Sequence, residues 1–165
     1  MPEGPKSPPR SRISAGLLMF RRNASGGLEV LLAHPGGPFF TKKDDGAWTI
    51  PKGEALPGED LQTRARKEFE EELGIRPSGD WIPLGSIKQK GGKTVHAWAF
   101  KGDLPDSFQL KSNTFEAEWP PRSGKRVKFP EIDRAEFLTE EIARRKINPA
   151  QAAFLDRLRE SLSPL

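Results

Sequence analysis

Three glutamates suggest the chemistry of this chain. Glu68, Glu71 and Glu72 stand in the run Glu68-Phe-Glu-Glu-Glu72, and at about 100° per residue they fall within roughly 100° of one another on a helix. Leu61, Ala65, Phe69 and Leu73 recur every fourth residue, an apolar stripe centred only about 90° from that cluster. The carboxylates therefore flank the inward face, and Glu70 lies on the far side as an ordinary solvated residue. Like charges so spaced cost a helix roughly 0.2–0.5 kcal/mol per pair, and more where enclosure lowers the effective dielectric. A bound divalent cation reverses the sign, because glutamates one turn apart can share one cation or bridge two. On the helix alone, a metal-holding face and a solvated acidic face stand as equal readings.

Composition restricts the ligands. The 165 residues include no cysteine and only two histidines, His34 and His96. A disulfide scaffold, a thiolate zinc site, a cysteine nucleophile and a multi-histidine metal site are all excluded. Any metal must be held by oxygen, which suits Mg²⁺ or Mn²⁺. The net charge, 27 − 23 = +4, suits an anionic partner without implying nucleic acid. Lys6, Arg10, Arg12, Arg21 and Arg22 load the first 22 residues, and Arg122, Lys125, Arg126 and Lys128 form a second basic cluster. Such clusters are ordinarily solvated loop surface.

The context of the helix decides between its two readings. The segment Gly53-Glu-Ala-Leu-Pro-Gly-Glu59-Asp-Leu-Gln-Thr-Arg-Ala-Arg-Lys67-Glu68-Phe-Glu-Glu71-Glu72-Leu-Gly74-Ile75 resembles the box of the Nudix hydrolase family: glycine, five residues, glutamate, seven residues, then R-E-U-x-E-E-x-G-U with U apolar. Every fixed position matches except Lys67, where the family has arginine. Weaker likeness extends to Ser14–Arg21, similar to the family's first core strand, and to Glu131–Leu138, similar to its late strand. The resemblance implies an α/β fold, an α/β/α sandwich with a mixed central sheet in which the box forms loop–helix–loop.

The resemblance also implies a function: metal-dependent hydrolysis of a pyrophosphate bond in a nucleoside diphosphate linked to another group, of the NTP or dinucleoside polyphosphate type. By position, Glu68 and Glu72 would be the main metal ligands, Glu71 a third ligand or the base, and the backbone carbonyl of Lys52 a further ligand. Glu59 and Lys67 would form the supporting ion pair. Lysine keeps the charge but loses the bidentate fork. Arg64, which faces the acidic cluster, or Arg66, which does not, could substitute. A base from outside the box is also possible in this family, with Glu116, Glu118 and Glu131 as candidates.

Pro51-Lys52-Gly53 also resembles members acting on diphosphoinositol polyphosphates, so a phosphohydrolase of those compounds is an alternative. A non-catalytic Nudix-fold module that binds nucleotide or RNA is another, although such modules usually lose box glutamates that are all present here. RNA decapping would call for a broader basic groove. Substrate contacts are expected from Lys52, Trp48, Phe40 and Arg122, with Phe39 as a further aromatic. The partner is thus a small nucleotide or polyphosphate, nucleic acid being unlikely, and the chain a monomer or homodimer. Gly91-Gly-Lys-Thr94 is no P-loop, because Ile87 stands where its first glycine belongs.

The elements that must hold these residues follow from periodicity and breakers. Residues 1–11 read as a disordered tail, and 12–165 as a single Nudix hydrolase domain. Strands are expected over Ile13–Phe20, Leu28–His34, Ala47–Ile50, Trp81–Lys88, Thr94–Lys101, Thr114–Trp119 and Ile132–Leu138. The helices are Asp60–Leu73, Thr139–Lys146 and Pro149–Leu162. Residues 120–130 read as a loop. The early basic stretch lacks a signal-peptide cleavage pattern, and no apolar run approaches the ~18 residues of a membrane span. A cytoplasmic protein is therefore expected.

Overall fold

The computed structural model describes residues 12–163; the tail expected over residues 1–11 lies outside them. Strand β1 (Ile13–Arg22) is buried from Ser14 to Phe20, as a nearly continuous apolar run covered on both faces must be. It pairs in parallel with β5 (Thr94–Lys101), which pairs antiparallel with β4 (Ile82–Lys88). On its other edge β1 has two antiparallel partners. β3 (Lys52–Glu54) lies along Ser14–Gly16, and β2 (Leu28–Pro35) lies along Phe20–Arg22. β2 continues to β8 (Ile132–Thr139). The order β4-β5-β1-β2-β8, with β3 off this path, is the mixed sheet expected from the sequence.

The divided edge of β1 positions the candidate site residues. β2 leaves β1 and the gap admits residues 51–54, with the Leu17 N–H donating to the Pro51 carbonyl at 3.1 Å. Lys52 and Gly53 are thereby set beside helix α1 (Leu61–Leu73). The helix begins at Asp60, whose Oδ2 accepts from the Thr63 N–H at 2.9 Å, a side-chain N-cap. It ends at Gly74, whose φ of 69° lets its N–H donate to the Glu70 carbonyl at 2.7 Å.

Ala65, Phe69 and Leu73 bury the apolar stripe of α1 against Ala15, Leu17, Met19, Leu31 and Ala33. Phe69 meets Phe100 edge-on, ring centroids 5.2 Å apart. On the opposite face, helices α2 (Glu140–Lys146) and α3 (Ala152–Leu162) cover Leu18, Phe20, Val30 and Leu32. Phe154, Leu155 and Leu158 are buried within the chain there. Helices on both faces of one mixed sheet make the α/β/α sandwich.

Three expectations about elements need correction. Ala47–Ile50 is no strand: it makes only single bridges, Ala33 to Thr49 and Trp48 to Ile147, because the edge of β1 is taken by β3. The residues 120–130 expected as loop contain β7 (Arg126–Pro130), which pairs with β6 (Thr114–Glu118) as a separate two-stranded hairpin. The last helix starts at Ala152 after a 3₁₀ turn over Pro149–Gln151. Among the described residues no helix is long and apolar enough to cross a membrane.

Candidate active site

Gly53 is where strand β3 touches helix α1. A Cβ at this position would overlap the Glu68 carboxyl, so only glycine admits the carboxylate beside the strand. Next to it Glu72 is 6 % exposed, and its Oε2 is buried with no hydrogen-bond partner among the described residues. Such an atom is costly unless something compensates it. Burial pushes the Glu72 carboxyl up to about 8, with Glu68, Glu131 and Glu71 adding repulsion and Lys52 opposing it. Burial also raises Glu68 above the usual carboxylate range. Lys52, partly buried, is pushed down by burial and by Lys93, against the pull of Glu72, Glu68 and Glu54.

Glu68 is held from the other side by Arg64. The Arg64 Nη1 donates to Glu68 Oε1 at 3.1 Å. The same guanidinium grips Glu59 with two bonds, Nε to Oε1 at 2.6 Å and Nη2 to Oε2 at 2.9 Å. It holds the Glu59 carboxyl below its usual range. The Glu59–Lys67 pair expected from the sequence is present only loosely: Lys67 Nζ lies 3.7 Å from Glu59 Oε2 and its side chain is 55 % exposed. Arg64, four residues before Glu68 and facing it, thus supplies the fork that lysine lacks. The helical wheel placed Arg64 on this side, but its bond to Glu59 crosses the N-cap, where periodicity carries no signal.

A cleft of about 230 Å³ opens here, lined by Pro35, Thr49, Lys52, Glu72, Glu131 and Ile132. Of the three outside candidates for a base, only Glu131 lines it. Glu116 pairs with Arg126 at 3.4 Å, and Glu118 is exposed on the hairpin. Glu71 is exposed on α1. A larger shallow hollow of about 460 Å³ lies along the outer face of α1, between Thr63, Arg66, Lys67 and Glu70, and holds none of the cleft carboxylates.

The expected substrate contacts fare unevenly. Lys52 lines the cleft. Trp48 does not face a ligand: it is fully buried, its indole N–H donates to Asp44 at 2.7 Å, and it packs edge-on against His34. Phe40 is partly buried, with the Lys43 ammonium 5.4 Å from its ring centroid. Arg122 sits exposed in the turn of the β6–β7 hairpin, outside the cleft. His34, at the end of β2, is buried and fully engaged, Nδ1 to Asp133 at 2.7 Å and Nε2 to the Lys43 carbonyl at 2.6 Å.

The donor set fits a hard cation on chemical grounds: a buried, unpartnered carboxylate oxygen with two further carboxylates in its field. Among the described residues no three Asp, Glu or His side chains converge closely enough to chelate an ion as they stand. Glu68 is turned to Arg64.

Comparison with known proteins agrees with this architecture. The NUDIX domain family profile matches residues 10–158. The chain is 29 % identical over 119 residues to Nudix hydrolase 7 of Arabidopsis thaliana, covering 66 % of this chain and 39 % of that protein. It thus spans about two fifths of the length of this curated relative. Among solved structures it resembles a Caenorhabditis elegans Ap4A hydrolase binary complex, with a TM-score of 0.63 at 24 % identity, over 90 % of this chain and 97 % of the other. It also resembles the NUDIX domain of Shewanella oneidensis NrtR complexed with ADP ribose, with a TM-score of 0.66 at 13 % identity, over 98 % and 95 %. At these identities the likeness is one of fold.

Proposed function

The chain belongs to the Nudix family, and from that membership we propose that residues 12–165 act as one divalent-metal-dependent hydrolase domain. It would cleave a pyrophosphate bond in a nucleoside diphosphate linked to another group. The observation that carries this reading is the Glu72 carboxylate, buried beside Glu68 at the head of a cleft with an oxygen that bonds to nothing. A group so placed is expensive as a structural element and useful as a cation ligand.

Glu68 and Glu72 would hold Mg²⁺ or Mn²⁺, with Glu71 and the Lys52 carbonyl at the margin of the site. The bound metal supplies neutralisation of the phosphate charge. The protein does the rest. The Lys52 ammonium, which lines the cleft with Glu72, offers a positive group to a phosphate entering it. Arg64, tied to Glu59, holds the Glu68 carboxylate in place. Glu131 lines the same cleft, where a carboxylate can orient or deprotonate an attacking water.

The test is a substrate panel in Mg²⁺ and in Mn²⁺: nucleoside triphosphates, oxidised nucleotides, diadenosine polyphosphates, nucleotide sugars and diphosphoinositol polyphosphates. Hydrolysis of at least one nucleotide, abolished by chelation, supports the reading. No turnover with any of them in either metal turns it toward a non-catalytic binding module.

A further inference from the structure

The β6–β7 hairpin and the segment it lies against expose apolar side chains that no core claims. The large apolar side chains exposed among the described residues are Phe39, Leu56, Trp119 and Val127. Three of these four belong to the hairpin and the segment it lies against. Phe39, 63 % exposed, and Trp119, 37 % exposed, meet edge to face with ring centroids 5.9 Å apart. Neither ring is needed to fill a core, and an exposed aromatic cluster of this kind marks a contact surface.

The pair is tied to the cleft by a continuous path. Pro35 and Glu131 line the cleft, and the Gly36 N–H donates to the Glu131 carbonyl at 2.9 Å. The Phe115 ring packs on Gly37, where a Cβ would come within 2.7 Å of it. Phe115 and Ala117 alternate with Glu116 and Glu118 along β6, and Trp119 follows at the end of the hairpin, its N–H donating to the Lys125 carbonyl at 2.9 Å. It stands four residues beyond Phe115, at most about 13 Å along an extended chain. Exposed Lys42 and Lys43 follow Phe39, and exposed Arg122 and Lys125 follow Trp119.

We propose that Phe39 and Trp119 form the wall on which the nucleobase of the substrate stacks, while the neighbouring basic side chains draw its phosphates toward the cleft. Two rings match one planar ligand and fall far short of the roughly 800 Å² per partner of a stable protein interface. The basic surroundings suit an anion, and the path to Glu131 makes the wall continuous with the phosphate-handling cleft. The inference rests on the hydrolase reading above, since it assigns the outer end of the same substrate.

The experiment is equilibrium binding to the full chain in Mg²⁺ of the α,β-methylene analogues of ADP, GDP, CDP and UDP, beside methylenebisphosphonate as the base-free probe. Wild type, Phe39→Ala, Trp119→Ala and Trp119→Phe are compared. At least one nucleotide analogue binds wild type more tightly than the base-free probe. Both alanine variants weaken it by roughly 5- to 100-fold, the span of base–aromatic stacking. Trp119→Phe retains most of the affinity, and binding of methylenebisphosphonate does not change. Nucleotide binding unaffected by either alanine variant, or equal weakening of both kinds of ligand, overturns the wall. So does a loss confined to a single-stranded oligonucleotide titrated alongside them, which makes the surface one for nucleic acid. If wild type binds neither nucleotide nor bisphosphonate, the hydrolase reading falls with it. If bisphosphonate binds and the base adds nothing, only the wall is overturned.

Discussion

Arg64 grips Glu59 through two parallel hydrogen bonds of 2.6 and 2.9 Å, from three residues before the box position that holds Lys67. The bidentate pair fixes the loop that enters α1 and, through the third bond at 3.1 Å to Glu68, the rotamer of a proposed metal ligand. Residues supporting metal ligands in this way typically matter by 10–100-fold in metal affinity or activity. Arg64→Ala should therefore raise the Mg²⁺ concentration for half-maximal activity by roughly 10-fold or more, with Arg64→Lys only partly restoring it. Lys67→Ala should change it about 3-fold at most, since exposed pairs contribute little. Metal titrations of the three variants check this, and a larger effect at Lys67 than at Arg64 contradicts it.

Gly53→Ala places a methyl group into the Glu68 carboxyl. The flexible end of Glu68 can swing away, so the fold survives while the site does not. Expected is a stability loss of about 1–3 kcal/mol, measured by urea unfolding, with a fall in kcat/KM of at least roughly 100-fold. Equal activity in the variant would mean that Glu68 is not needed where it stands.

Metal-free stability should depend on pH through Glu72. Its folded value of about 8 lies above the ordinary 4.5, so the folded chain keeps a proton that the unfolded chain gives up between those values. Stability is then full below pH 4.5 and declines as pH rises toward 8, by up to a few kcal/mol. The raised Glu68 acts in the same direction. Thermal unfolding in a chelator from pH 5 to 8 should show a falling Tm, and Glu72→Gln should flatten the slope. A Tm that rises over this range in wild type counts against the burial of an unpaired carboxylate.

His34 joins β2 to Asp133 and to the Lys43 carbonyl from a fully buried position. Both ring nitrogens face oxygen acceptors, so the ring ties the segment bearing Phe39 and Phe40 to β8. His34→Ala removes both bonds of the buried ring and should cost about 1–3 kcal/mol. Limited proteolysis should find faster cleavage within residues 36–46. Unchanged cleavage there would show that the segment is held by other contacts.

Much of this was readable in advance, and the exceptions have physical causes. Helix α1 was legible because Asp60, the Leu61–Leu73 stripe and Gly74 agree on one element. The proximity of Lys52 to Glu72 was implied only by resemblance, since it depends on β3 inserting beside β1, a pairing that Lys52-Gly-Glu54 does not announce. Trp48 was misread because an aromatic beside a loop has no local mark of burial. Its neighbours, His34 and Asp44, are assembled by the fold. β7 was hidden because Arg126-Val-Lys-Phe-Pro130 alternates over only five residues among prolines and charges. The tie between Glu59 and Arg64 spans a helix start, where no periodic rule applies.

The most direct measurement takes the substrate turned over fastest in the panel and compares wild type with Glu72→Gln, following hydrolysis and Mg²⁺ binding together. Glutamine preserves the volume and removes the charge of the buried, unpartnered oxygen. The account predicts a folded protein whose Mg²⁺ affinity drops by roughly 10-fold or more and whose kcat falls by at least roughly 100-fold. A Glu72→Gln protein that binds Mg²⁺ and hydrolyses as well as wild type would contradict it.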